Sequence, residues 1–324
     1  MKPARLSRRW LGAGVAAVVV ALVAGLTLGP FSLAPSTVAK ALVGMGDPQD
    51  VGIILQIRLP RVLLGLMVGA MLALAGGCFQ GVFRNPLADP YLLGIAAGAG
   101  MAAVTAITLK ASEVTVPIFA FFGAVAAVFA TYLLGRGRNL ILAGVAVSAF
   151  AAAIQTYLLL RNADKLREAY SWLLGGLSTY GYSKVLLLLP YAIVSSVVVL
   201  LLRRELDVLS VGDAEAASLG LHPERSRLIL LGAASLGTAA AVAVSGLIGF
   251  VGLIVPHIVR LLAGGSYRQV LPLSLLFGAA FLALADLAAR TLVSPGELPV
   301  GVVTAFFGAP FFVLVLRRTR SVEL

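Results

Sequence analysis

Apolar runs of roughly twenty residues alternate with short polar punctuation along the whole chain, and about twenty apolar residues is the length an α-helix needs to cross hydrocarbon. The first run, 10–28, follows a short basic start at 1–9. That resembles a secretory leader, but the run is about 19 residues long and no convincing small-x-small cleavage site precedes Pro30, so it reads as a retained first span entering from the cytoplasm. The mixed stretch 31–57 places Val38, Ala41 and Leu42 on one helical face, which predicts a short amphipathic helix on the outer surface. Further spans are expected at 58–83, 95–109, 116–134, 140–160, 185–202, 228–244, 247–262, 270–292 and 300–316. The result is an all-α, polytopic membrane protein of about ten transmembrane helices.

The punctuation between spans has its own structure. In Arg84–Gly94, Pro86 and Pro90 disfavour helix at the residue before each, and Asn85 and Asp89 offer caps, so a tight turn is expected on the cytoplasmic side. Tyr170–Lys184 reads as a broken external helix and loop with interfacial aromatics Trp172, Tyr180 and Tyr182. The longest hydrophilic stretch is 203–227. There Asp213 is placed to cap a short helix, Gly220 to end it and Pro223 to open the next, giving two short helices on the cytoplasmic face. Within the second span Gly65, Gly69, Ala73 and Gly77 fall on one face, where small residues let helix backbones approach closely.

Composition agrees with the pattern: 60% of residues are hydrophobic and 12% charged, against about 25% charged in soluble domains. A single transmembrane domain, 1–324, is the simplest organisation. The net charge of +11 would suggest a polyanion partner in a soluble protein. Here the basic residues sit at the ends of apolar runs, mostly on the side expected to be cytoplasmic, and read as a topology signal with no nucleic-acid partner. One cysteine, Cys78, and two histidines argue against an intrachain disulfide and a structural metal cage.

Polar residues inside spans are the candidate chemistry, because a helix in lipid tolerates them only where protein or a cavity surrounds them. Gly246–Gly265 carries Pro256, His257 and Arg260 and is therefore inward-facing. His257 reads as a histidine bonded within the bundle or as a proton relay, and Arg260 as a snorkelling or pairing group near the cytoplasm. Asp286 and Arg290, four residues apart, share a helix face, as a structural pair or a gate contact. No G-x-x-x-x-G-K-[ST] run occurs, so any phosphate cradle must come from another chain.

Three long stretches, Arg58–Ile95, Gly246–Ser274 and Ala285–Leu316, resemble the iron-siderophore and vitamin B12 permeases of ABC importers, a family that also carries haem. The resemblance implies the type II ABC importer permease fold and a second permease subunit, either another copy or a paralogue. It also implies two cytoplasmic ATPases and an extracytoplasmic substrate-binding protein, with lipid around the whole. It places the chain in the bacterial cytoplasmic (inner) membrane with both termini cytoplasmic. No cofactor would bind this chain, and ATP and Mg would sit on the partner ATPase.

Segment 203–227 is similar to the family's coupling helices, so Asp213, Glu215, Leu219, Gly220, Leu221 and His222 would meet the ATPase. The second span and the external break, with Trp172, Gly175 and Gly176, are implied neighbours of the central path, and Gln80, Asn85 and Gln155 are polar candidates for its lining. The external basic residues Arg58, Arg61, Arg161, Lys165 and Arg167 are either solvated or a docking surface for an acidic binding protein. Ferric siderophore is the expected cargo, with cobalamin and haem open. An ATPase-independent secondary transporter would need paired intramembrane carboxylates, and an intramembrane protease a Ser/His or paired-Asp constellation. Only Asp286 lies at depth, and Ser245 and His257 have no supporting motif.

Overall fold

A computed structural model describes residues 7–135, 139–293 and 296–320, with the side chains of the last helix described to Val313; the regular structure of these residues is helical throughout. The basic start at 1–6, most of the expected return at 135–139, part of the 293–301 link and the last four residues lie outside the described residues.

In chain order the helices are α1 (Arg8–Thr27), α2 (Pro35–Leu42), α3 (Pro48–Gly52), α4 (Leu59–Val82), α5 (Ile95–Thr108), α6 (Thr115–Leu134), α7 (Leu140–Arg161), α8 (Leu166–Leu173), α9 (Ser183–Leu201), α10 (Arg203–Leu209), α11 (Asp213–Ser218), α12 (Pro223–Ser245), α13 (Val251–Ala263), α14 (Tyr267–Ala289) and α15 (Val300–Arg320). A π-helical turn, Ile53–Arg58, joins α3 to α4 without a break, so the second span begins ten residues earlier than its apolar run suggests. Among the described residues, seven helices are long and apolar enough to cross a membrane, and α5, α13 and Val300–Val313 are shorter apolar helices in the remaining expected places. Below, "inner" and "outer" name the bundle ends according to the orientation expected from the charges.

The core is built on α4, which is buried on nearly every side. Its small residues explain why. A Cβ on Gly69 would lie 2.2 Å from the Gly278 carbonyl oxygen, and one on Gly65 would meet Ala283, so this face lies directly on antiparallel α14. One position round, a Cβ on Gly76 would lie 2.0 Å from the Gly252 carbonyl oxygen of α13. Such close approach replaces the hydrophobic drive that lipid does not supply.

The eighth span is shorter than its apolar run. Gly246 ends α12 at φ 68° and Phe250 enters α13 at φ 69°, so 246–250 is unwound. Backbone freed in this way must find partners inside the protein, and the Ile248 carbonyl accepts from the Tyr91 hydroxyl at 2.9 Å.

Candidate functional site

At the inner end, α11 is the first of the two short helices expected from the punctuation, with Gly220 at φ 81° just beyond it; the second is not short, because Pro223 opens the 23-residue span α12, and the other short helix is α10, which the punctuation does not announce. Asp213 is not a cap: Gly212 holds that position and the helix has no side-chain cap. The Asp213 carboxylate instead accepts from Arg227 Nη1 at 3.0 Å and Nη2 at 2.6 Å, and from Arg84 Nη2. Partial burial pulls this carboxyl up, but Arg227 and Arg84 outweigh it and hold it below the usual carboxylate range. The clamp is therefore charged at neutral pH and is lost only as pH falls through that lowered value. Glu215, Leu219, Gly220 and His222 are exposed, Leu219 at 74%, while Leu221 is half-buried.

Three further acids, two in this segment and one at the opposite end of the bundle, have partners that no sequence pattern indicates. Asp207 accepts from the Tyr267 backbone N–H at 2.6 Å and the Ser266 hydroxyl at 2.9 Å, capping α14 from another helix. Glu205 accepts from the Ser226 hydroxyl, and Glu297 pairs with Arg61 at the other end. Each partner is distant in sequence, so no local spacing announces it.

Gln80 does not line an open path, being 1% exposed. Its role follows from Pro256, which lacks the N–H that would close the helical bond to Gly252. The Gly252 carbonyl is left over, and Gln80 Nε2 donates to it at 3.2 Å, while Gln80 Oε1 accepts from Arg260 Nη2. Arg260 also lies over the Tyr267 ring, 5.7 Å from its centroid. The Gln80→Leu variant strips partners from a buried carbonyl and a guanidinium, which costs about 1–3 kcal/mol. A lowered thermal midpoint in detergent is expected, and an unchanged midpoint would refute the assignment.

His257 is half-buried in a narrow crevice with Pro86, Leu87 and Phe311. Its ring meets Phe311 edge-on at 5.9 Å and makes no hydrogen bond among the described residues, so it is a packed rather than a bonded histidine. Asn85 is exposed and turns the chain by accepting from Leu87 N–H, and half-buried Gln155 leans on Gly100 of α5.

At the outer end, Trp172, Gly175 and Gly176 meet the unwound 246–250 segment and the start of α15 backbone to backbone. The Gly176 N–H donates to the Ser245 carbonyl at 2.8 Å, the Val300 N–H donates to the Gly175 carbonyl at 3.1 Å, and Gly175 has φ 73°. A Cβ on Gly246 would lie 2.2 Å from the Trp172 carbonyl oxygen, so positive φ and close packing both require glycine there.

The external basic set divides. Arg58 is 4% exposed and donates to the carbonyls of Leu26, Thr27 and Phe31, closing the end of α1. Arg61 is 8% exposed and holds Asp286 at 2.9–3.1 Å and Glu297 at 3.0 Å. Neither presents charge at a surface, because their partners are already inside the chain. Asp286 thus has Arg61 as its close partner, with Arg290 at 3.5 Å, and Arg290 donates to the Gly25 carbonyl at 2.9 Å. Arg161 and Arg167 are exposed, and Lys165 pairs with Glu168 at 2.8 Å.

A family model described as the FecCD transport family matches residues 17–318. The chain is 44% identical over 280 residues to the cobalamin import system permease protein BtuC of Halobacterium salinarum, covering 84% of this chain and 75% of that one. It is 42% identical over 273 residues to the Fe(3+) dicitrate transport system permease protein FecD of Escherichia coli, covering 83% and 86%. A solved structure of a metal-chelate type ABC transporter in an inward-facing conformation superposes with a TM-score of 0.88 at 32% identity, covering 96% of this chain and all of the other.

Proposed function

The chain belongs to the FecCD transport family, and from that premise we propose that it conducts an iron(III)-siderophore-type chelate into the cytoplasm by ATP-driven alternating access. It is an ABC permease of the kind that serves metal-chelate, cobalamin or haem import, and a multi-pass inner-membrane protein. The observation that carries the reading is the family match over nearly the whole chain, joined to two short helices at one end of the bundle, the second of them, α11, largely exposed. Cobalamin is the alternative cargo, favoured by the identity to the archaeal cobalamin permease.

In this reading Glu215, Leu219, Gly220, Leu221 and His222 seat in a partner ATPase that holds ATP and Mg, with both termini on the same side. A second permease subunit, a copy or a paralogue, completes the path. Trp172, Gly176, Asn85 and Gln155 are the residues kept for its lining or gate, while Gln80 and Gly175 serve the packing described above. Arg161, Lys165 and Arg167 form the docking surface for the extracytoplasmic binding protein, where opposite charge steers encounter. Alternating access needs contacts that differ between ATP-loaded and ATP-free motors, and exposed Leu219 supplies an apolar anchor for such a contact.

The test is reconstitution with the ATPase and the binding protein in vesicles, with uptake measured for a ferric siderophore, cobalamin and hemin. ATP-dependent uptake of the siderophore alone is expected, and uptake without an ATPase would overturn the mechanism. Leu219→Asp is expected to weaken ATPase co-purification at least about tenfold, as for a buried anchor at an interface.

A further inference from the structure

The segment linking α9 to α12 carries four acids, Glu205, Asp207, Asp213 and Glu215, and the first three are bonded to residues at the ends of the spans. Their partners lie on three different spans. Asp213 reaches Arg84, just past the end of α4, and Arg227 of α12. Asp207 holds the first residues of α14 through Ser266, the Tyr267 N–H and Arg268, and Glu205 holds Ser226 of α12. Arg84 adds a second grip, because its Nε donates to the Leu209 carbonyl at 2.8 Å, at the end of α10. Glu215 makes no ion pair among the described residues.

We propose that Asp207 and Asp213 are positioning residues that pass the motor's movement from the coupling helices into α4, α12 and α14, rather than residues that touch the ATPase. The proposal rests on the seating of this segment in an ATPase. Its physical basis is that α4 and α14 are gripped at both ends. At the inner end Asp213 and Asp207 hold them to α11 and α10; at the outer end Arg61 and Asp286 hold them to each other. Between these ties the two helices lie in backbone contact at Gly69 and Gly278. A helix of 24 residues is about 36 Å long, so a shift imposed at the inner end of such a stiff pair reaches the outer end. Tight packing favours switching between discrete arrangements over gradual bending.

Exposed ion pairs contribute little to stability, about 0–1 kcal/mol, so a variant at half-exposed Asp213 folds and its defect is one of coupling. The experiment uses the complete transporter in liposomes and reads ATPase co-purification, ATP hydrolysis with and without binding protein, and cargo moved per ATP hydrolysed. Asp213→Asn is expected to keep the ATPase bound, lose stimulation by the binding protein and move about tenfold less cargo per ATP, within the usual range for coupling between sites. Asp213→Glu is expected to stay within about twofold of the parent on the same scale. Asp207→Asn should repeat the Asp213→Asn signature. Normal transport per ATP in both Asn variants would overturn the proposal, and so would loss of the ATPase from the complex, which would make these residues contacts. If Leu219→Asp leaves the ATPase bound, it is the seating itself that fails.

Discussion

Gly76→Leu yields no folded permease. A Cβ at this position lies 2.0 Å from the Gly252 carbonyl oxygen and 2.4 Å from its Cα, before any of the leucine's remaining atoms are placed. The neighbour is backbone in the first turn of α13 and cannot rotate away as a side chain would. The approach is close from both sides, since a Cβ on Gly252 would in turn lie 2.9 Å from the Leu72 carbonyl oxygen of α4. Overpacking a core with side-chain neighbours costs about 1–3 kcal/mol, and here two helix axes must separate, so the cost exceeds that range. Loss of the monodisperse peak on size-exclusion chromatography in detergent is the expected result, with Gly76→Ala retaining the peak at a lowered melting midpoint. Gly232→Leu is the control, because Gly232 is exposed and its Cβ would meet open space. Parental yield and midpoint for Gly76→Leu would show that α4 and α13 do not pack as described.

The contrast between Gly76, a packing position, and Gln80, one turn later among polar partners, shows what local pattern reveals. Helix positions, the broken outer segment and the short inner helix before Gly220 follow from apolar run length and from Gly, Pro and charged punctuation, because those signals act within a few residues, whereas α10 carries no such signal. The face Gly65, Gly69, Ala73 and Gly77 is legible as a packing face for the same reason. Polar partnerships are not. The i,i+4 rule points Asp286 to Arg290, yet its closest partner is Arg61, 225 residues away. Asp213 has the position and residue type of a cap, yet Arg84, 129 residues away, helps to hold it. Arg58 and Arg61 flank an apolar run and so look like exposed external charge, whereas the end of α1 and the end of α14 fold over them. Such pairs are set by which helices become antiparallel neighbours, and short-range spacing carries no record of that. Gln80 had one available signal: a proline four residues after Gly252 leaves a carbonyl that some buried donor must satisfy.

Asp286→Leu is expected to destabilise the protein more than Arg61→Met, although both remove the same ion pair. Asp286 is 1% exposed and stands between two buried guanidinium groups. Its removal leaves Arg61 with Glu297, whose side chain is 43% exposed, and leaves Arg290 with the Gly25 carbonyl. Removing Arg61 instead leaves Asp286 beside Arg290, so one opposite charge still answers the other. Breaking a buried pair from one side costs about 3–5 kcal/mol because an uncompensated charge remains. Asp286→Leu belongs at the top of that range and Arg61→Met at the bottom, read as thermal midpoints in detergent. The reverse order would refute the arrangement. Combining Arg61→Met with Asp286→Leu restores little, since Arg290 is still buried without a carboxylate. Adding Arg290→Met removes the last buried charge of the triad, leaving Glu297 to water through its 43% exposed side chain, and replacing a buried ionic triad by packed apolar groups is often neutral or stabilising, so the triple variant should recover most of the lost midpoint. Recovery of the midpoint without recovery of uptake would place the value of this network in holding the outer ends of α4 and α14 in register during the transport cycle.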